Sequence, residues 1–389
     1  MPVHNSSRKP RILFLVTEDW YFCLHRLALA CAVRDSGYEV LVATRVTDHG
    51  GQITAEGLKL LPLKLSRGSK NIIKELVAFF EIVRIYTREK PNLVHHVGLK
   101  PILYGSLAAR LANVCAVVNA FAGLGFVYTG TRWHHRILRS VVSLLLRMAL
   151  ALPRATTICQ NPDDIAILLS YGVARASDSL VIRGSGVDPA IFSPVPEMGG
   201  EPVVLLAARM LWDKGIREFV EAARIIKGRG IHARFVLAGR LDPSNPTSVT
   251  GDRLRSWQEE GHVEWWGQRE DMPVVLAQAH IVVLPSYREG LPKVLLEAAA
   301  CERAIVATDV PGCREIVRNG DNGLLIPAKD PAALAEGIVT LLQNPELRRR
   351  MGMRGRQLVL NEFTVEHVAA RVIQVYHTAL RENSGWQHQ

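Results

Sequence analysis

Two tandem α/β domains, each a Rossmann-like parallel sheet and the pair facing a central cleft, are predicted by three features of the sequence. Short apolar runs alternate with helical segments along most of the chain, the pattern of buried parallel strands joined by crossover helices. A Pro- and Gly-rich stretch from Pro189 to Pro202 interrupts that alternation once, after which it restarts. The 389 residues are too many for one ordinary domain and enough for two substantial cores.

In the first half, strands are expected near Arg11–Val16, Glu39–Ala43, Leu93–Val97, Ala116–Ala120, Thr157–Gln160 and Leu180–Arg183. Helices near Leu24–Asp35, Ile72–Glu89, Leu103–Leu111, Ile137–Ala151 and Asp163–Tyr171 connect them. Beyond the break the alternation runs through Val203–Ala207, Arg217–Arg229, Arg234–Ala238, Val263–Trp265 and Met272–Gln278. It continues through Ile281–Pro285, Pro292–Ala300, Ala304–Thr308 and Gly323–Ile326. The expected domains are residues 1–187 and 188–364. The final segment, 365–389, is helical over Val365–Arg381 and can pack back on the first domain.

Hydrophobic content of 48% with 22% charged residues suits a globular enzyme, and a net charge of +10 implies an anionic partner. The six cysteines show no C-x-x-C and no zinc spacing with histidine, which fits reduced, mostly buried thiols in a cytosolic protein. The apolar run Ile12 to Val16 is too short for a signal peptide and reads as the first strand. No run reaches the roughly 20 apolar residues that span a bilayer. The nearest, Ile137 to Leu152, is interrupted by Arg139 and Arg147 and preceded by Arg132-Trp133-His134-His135-Arg136. It fits either an interfacial membrane contact on the inner face of the cytoplasmic membrane or an ordinary domain helix.

Several chemistries are excluded. There is no G-x-x-x-x-G-K-[ST] and no H-E-x-x-H, and Thr17-Glu18-Asp19-Trp20 stands where a dinucleotide-binding glycine motif would follow the first strand. No two aspartates lie at i, i+2, so a D-x-D metal clamp is missing and neither metal nor cofactor is expected. A bound diphosphate would have to be neutralised by side-chain cations. Asp163-Asp164 read as the start of a helix, and Trp265-Trp266 as core.

The most informative stretch runs from Pro285 to Ala300. A buried strand leads into Arg288-Glu289-Gly290-Leu291-Pro292, and Pro292 suits the first turn of an Ala/Leu-rich helix carrying Glu297. Backbone N–H groups near Gly290 and Val294 at a helix start favour phosphate. At about 1.5 Å rise per residue, Glu289 and Glu297 stand roughly 12 Å apart, too far for the paired carboxylates of a retaining glycosidase at about 5 Å. Two acceptors flanking a phosphate-binding helix end suit a nucleotide sugar, with hydroxyls on both sides of a diphosphate. Two surface glutamates are the plainer reading. Arg209, directly after the strand Val203–Ala207, and Lys214 before the next helix supply the cations.

Together with Ile182-Arg183-Gly184-Ser185-Gly186-Val187-Asp188, Ile305-Val306-Ala307-Thr308-Asp309-Val310-Pro311-Gly312 and Asn322-Gly323-Leu324-Leu325, these residues resemble the family 4 retaining glycosyltransferases of GT-B fold. In the first domain, Leu99-Lys100-Pro101 and Asn119-Ala120-Phe121-Ala122-Gly123-Leu124-Gly125 look like the subgroup acting on undecaprenyl-diphosphate-linked sugars.

The resemblance implies a hexosyltransferase that takes a UDP-sugar as donor and a lipid-diphosphate-linked saccharide as acceptor, in cell-surface glycan assembly. Arg209 and Lys214 would bind the diphosphate, and Glu289 would hold hydroxyls of the transferred sugar. The backbone from Gly290 through Leu291 and Pro292 to Val294 would lie near sugar and phosphate. Glu297 would take the ribose, and Gly267-Gln268-Arg269 would lie near the uracil. His96, Lys100, Gly123 and Gly125 are the acceptor-side or sugar candidates, although His96 equally suits a satisfied structural role. The glycine-rich turn that relatives carry after strand one is replaced here by Thr17 to Phe22. Two rivals stand: a UDP-sugar 2-epimerase of the same fold, and a non-catalytic binder of anionic lipid or nucleic acid; a transferase needs no nucleic acid.

Overall fold

The computed structural model describes residues 9–66, 71–124, 128, 133–151, 155–243 and 245–383. The chain forms two compact units, Met1–Ser185 with Val365–Gln389, and Gly186–Thr364. The division falls two residues before the expected one at 187. Val187 is buried in the second unit's core, and its N–H donates to Phe363 O at 2.9 Å.

The first unit contains β1 (Arg11–Glu18), β2 (Glu39–Arg45), β3 (Lys59–Pro62), β4 (Leu93–Val97), β5 (Ala116–Phe121), β6 (Ala155–Cys159) and β7 (Ser179–Val181). They make an all-parallel sheet in the order β3-β2-β1-β4-β5-β6-β7. The sequence reading omits β3, a four-residue edge strand with Lys59 and Pro62 exposed and only Leu61 buried, and the helix Gly50–Ala55 before it. The single expected helix Leu24–Asp35 is two, Asp19–His25 and Leu27–Asp35, broken where Arg26 leaves helical geometry at φ −132°. Helix Val365–Asn383 belongs to this unit. Val368, Val372 and Tyr376 pack among Ile12, Phe14 and Val118, each buried apolar side chain contributing about 1.5–3 kcal/mol.

The second unit contains β8 (Val203–Ala207), β9 (Arg234–Ala238), β10 (Glu264–Trp265), β11 (Ile281–Leu284), β12 (Ala304–Thr308) and β13 (Gly323–Ile326). Its order, β10-β9-β8-β11-β12-β13, is also all parallel. β8, β11 and β12 are buried at every position, because helices cover both faces of the sheet, so they read as continuous apolar runs. Three helices absent from the sequence reading, Gly251–Glu259, Pro331–Gln343 and Pro345–Glu362, complete those layers.

Register decides what meets at the carboxyl ends. Val204 pairs with Ile281, Ala207 with Ala238, and Leu284 with Ala307, so the loops after β8, β9, β11 and β12 emerge side by side. The strand order reverses between β8 and β11, the topological switch point where α/β sheets open a crevice.

Candidate active site

Arg209 follows the last residue of β8 by two positions. Its Nη1 lies 2.8 Å from Oδ2 of Asp242, in the loop after β9. Met210 N–H donates to Arg240 O at 3.0 Å, fastening the two loops together. Asp242 was not singled out in the sequence. An acidic residue just past a strand end beside the switch point was the only signal, and nothing in the order of residues said that Arg209 would meet it.

Lys214 ends a single 3-10 turn, Trp212–Lys214, closed by Gly215 at φ 71°. A Cβ on Gly215 would sit 2.1 Å from Pro285 O, so the loop after β8 touches the loop after β11 with no room for a side chain. Tyr287 N–H donates to Asp213 O at 3.0 Å across the same seam. That seam delivers Lys214 Nζ to 2.5 Å from Glu289 Oε1.

Glu289 is fixed from two further sides. Ser286 Oγ donates to Glu289 Oε1 at 2.6 Å, and Thr308 Oγ1, at the end of β12, donates to Ser286 O at 2.5 Å. Glu289 N–H donates to Pro311 O at 3.3 Å. Gly312, at φ 85°, presses so closely that a Cβ there would lie 2.6 Å from Gly290 O. Neither Ser286 nor Asp242 figured among the expected site residues. Both support cations or carboxylates that did.

The following helix runs Lys293–Ala300, with Pro292 as its N-cap residue, one position earlier than a first-turn proline. Leu291 and Pro292 are buried, and Val294 packs against the core, so these side chains serve packing while first-turn amides face the crevice end of β11. Glu297 is buried and lies 3.1 Å from Lys293 Nζ one turn earlier. Arg269 follows β10, two strands from β8, and forms an exposed pair with Asp271. The structure thus gathers Arg209, Lys214, Glu289, Gly290 and Glu297 around the switch point and leaves Arg269 at the sheet's far side.

The first-unit candidates fare differently. His96 is fully buried in β4; Nε2 pairs with Tyr86 OH at 3.0 Å and Nδ1 with Asn119 Oδ1 at 2.8 Å. Burial pulls its pKa down to about 4, so it is a neutral core residue. The substrate contact expected of His96 is therefore corrected: both ring nitrogens are already engaged. Lys100 Nζ donates to Ser66 O at 2.7 Å and to Glu75 Oε1 at 2.8 Å, a partnered cation within the unit. Gly123 follows β5 with φ 99°, and Gly125 lies outside the described residues, as does much of the expected acceptor loop 123–130.

After β1, where the resemblance led to an expected glycine-rich turn, Asp19 is fully buried and accepts hydrogen bonds from Thr47 N, Thr47 Oγ1, His49 N and Trp20 N at 2.6–2.9 Å. Those bonds hold its carboxyl below the usual aspartate range, against burial, which pushes it up. Asn161 caps the helix Pro162–Ser170 and Asp163 and Asp164 occupy its first turn. Among the described residues no group of three His, Cys, Asp or Glu is placed to hold a metal ion.

Two Rossmann-like parallel sheets, one of them with cations and carboxylates paired at its switch point, define the class of GT-B proteins. The sequence of residues 201–344 matches the family described as glycosyl transferases group 1, and residues 11–161 match the glycosyl transferase 4-like family. The chain belongs to this family and is a glycosyltransferase of the hexosyltransferase kind, which sets aside both the epimerase and the non-catalytic binder.

Among similar proteins is the N,N'-diacetylbacillosaminyl-diphospho-undecaprenol alpha-1,3-N-acetylgalactosaminyltransferase of Campylobacter jejuni. It is 28% identical, over 92% of this chain and 95% of that one. The UDP-Gal:alpha-D-GlcNAc-diphosphoundecaprenol alpha-1,3-galactosyltransferase of Escherichia coli is 24% identical over 79% of this chain and 80% of its own. Sucrose-phosphate synthase from Thermosynechococcus elongatus superposes with a TM-score of 0.79 at 21% identity, covering 96% of this chain and all (100%) of that one. Anabaena HepE in complex with UDP-glucose gives 0.75 at 17% identity, covering 95% and 99%. These structures share the fold.

Proposed function

We propose that this enzyme transfers a hexosyl residue, with retention, from a UDP-sugar to a lipid-diphosphate-linked glycan in cell-surface polysaccharide or glycan assembly. The observation that carries the donor half is the Lys214–Glu289 pair, which brings a cation and a carboxylate together beside a helix N-terminus at the switch point. The acceptor half rests on the undecaprenyl-diphosphate chemistry in the names of the Campylobacter and Escherichia relatives.

In this reading Arg209 and Lys214 exchange their partners Asp242 and Glu289 for the diphosphate and stabilise the charge that grows on UDP as the anomeric bond breaks. The acceptor hydroxyl attacks the same face, and a leaving phosphate oxygen takes its proton, so no protein nucleophile is needed. Glu289 then orients sugar hydroxyls and Glu297 accepts from the ribose, while Arg269, paired with Asp271 two strands from β8, takes no part. The positive charge comes from side chains, and no metal takes part.

A peripheral contact with the inner face of the membrane brings the enzyme to its acceptor. Among the described residues no helix is long and apolar enough to cross a bilayer. Helices Ile72–Glu89 and Trp133–Leu150 both pack on helix Leu99–Leu111 and turn apolar residues outward, including Ile72, Ile73, Leu76, Phe80, Ile137, Val141 and Met148. Exposed Lys74 and Arg136 lie on the same helices, suiting an anionic surface.

The test is thermal stabilisation by UDP, GDP, ADP, NAD and UDP-sugars, followed by transfer to a short-chain polyprenyl-diphosphate saccharide with and without EDTA. A UDP-selective shift and EDTA-insensitive transfer support the reading. A shift with GDP or ADP alone changes the donor, and loss of transfer in EDTA removes the metal-free mechanism.

A further inference from the structure

A small cavity in the first unit is lined by Arg26, His95 and Gln160, with Phe121, Ile158 and Val372 supplying apolar walls. Arg26 is 5% exposed and His95 1%. Arg26 Nε and His95 Nε2 are both buried without a hydrogen-bond partner. No ion pair or hydrogen bond engages the Arg26 guanidinium among the described residues, whereas buried Arg348 in the second unit has Glu197 at 2.7 Å. A buried guanidinium without a counter-charge is costly, so its neighbourhood selects for an anion.

The donor count points the same way. His95 Nδ1 is hydrogen-bonded to the hydroxyl of Tyr376, which is itself fully buried and has no other partner among the described residues. The Tyr376 O–H has nowhere else to donate, so it donates to Nδ1. The ring proton then sits on Nε2, the ring nitrogen left without a partner. Arg26 Nε–H and His95 Nε2–H are unpartnered donors on residues that line one cavity, and Gln160 on the same lining can add an amide N–H. A cavity of donors takes an acceptor. Its room is that of about one water-sized group, enough for a single oxygen of a larger ligand.

We propose that Arg26, His95 and Gln160 form an oxyanion-binding pocket in the first unit that receives one oxygen of a phosphoryl group. Naming phosphoryl rests on the proposed function; the existence of the anion site does not. The source is either a lipid-linked diphosphate or a free phosphate ion.

Crystals of the full chain grown free of sulfate and phosphate and soaked in bromide test the site by position. An anomalous peak within contact of Arg26 and His95 is expected. An ordered water there, with bromide only elsewhere, overturns the proposal. In solution, binding of orthophosphate, pyrophosphate and farnesyl diphosphate is measured by calorimetry with excess UDP present. Arg26→Gln should weaken these probes at least tenfold and Arg26→Lys less, with UDP binding unchanged in both. Equal affinity for all probes in Arg26→Gln and wild type overturns it. Farnesyl diphosphate binding tenfold or more tighter than pyrophosphate assigns the site to the lipid headgroup, and comparable affinities assign it to the free ion. Because Arg209→Gln should weaken UDP binding about 10–100-fold and leave the bromide peak in place, failure of the donor-site reading is seen separately.

Discussion

Lys214 and Glu289 lie 75 residues apart in sequence, and their charged atoms lie 2.5 Å apart in space. The contact links the loop after β8 to the loop after β11, so a cation for phosphate and a carboxylate for sugar hydroxyls are held in one geometry. Because Ser286 and the backbone of Pro311 also grip Glu289, its position does not depend on Lys214 alone.

Glu289→Gln keeps the shape and removes the charge. Turnover should fall by about 10²–10³-fold, the size of losing one preorganised electrostatic contact, while UDP affinity stays within a few fold. Steady-state kinetics and UDP calorimetry on the same preparation decide it; lost UDP affinity with intact turnover would reverse the assignment.

Arg209→Gln and Lys214→Gln should each weaken UDP binding by about 10–100-fold, corresponding to a charge-assisted hydrogen bond of roughly 1.5–3 kcal/mol. Asp242→Asn should do the opposite, tightening UDP a few fold, because the carboxylate at 2.8 Å competes with phosphate for Arg209. If Asp242→Asn weakens UDP instead, Asp242 orients Arg209 rather than competing for it.

Gly215→Ala should destabilise the second unit by about 3–5 kcal/mol, the range of severe backbone and packing clashes. The new methyl has Pro285 O at 2.1 Å, and the φ of 71° already disfavours alanine. Urea unfolding should show it, and an unchanged midpoint would mean that the two loops separate easily.

His96 makes the first unit acid-sensitive. Its pKa is lowered from 6.5 to about 4 by burial, so below neutrality the unfolded chain takes up a proton that the folded one refuses. Stability is full above about pH 6.5 and falls as pH drops towards 4, by roughly 3 kcal/mol for this residue alone. His95, also pulled down by burial, adds in the same direction. Amide exchange of β4 across that range measures the slope, which His96→Gln should reduce.

The outward apolar faces predict membrane binding. Phe80 is 63% exposed and Ile73 72%. Phe80→Glu combined with Ile73→Glu should reduce co-sedimentation with anionic vesicles at least tenfold and leave UDP binding untouched. Equal sedimentation would place the contact elsewhere.

The central strands were legible because helices bury both of their faces, so β8 and β11 appear as unbroken apolar runs with recognisable ends. β3 was not, since an edge strand of four residues carries too little pattern. Helices Pro331–Gln343 and Pro345–Glu362 passed unread despite Asp330 and Asn344 as their caps, because the reading followed strands. At the site, Arg209, Lys214, Glu289 and Glu297 stood out by their distance along the chain from strand ends and a helix start, which is local information.

By itself, then, the sequence determined the class of fold, the family, and the residue types gathered at the carboxyl ends of β8 and β11. Tertiary structure alone decided the pairings: Arg209 with Asp242, Lys214 with Glu289, Lys100 with Glu75, and His96 sealed between Tyr86 and Asn119. The reason is physical. Periodicity and chain-local motifs report which groups lie at an element's end or face, but strand order and register bring distant ends together. Those depend on how whole sheets close around their cores.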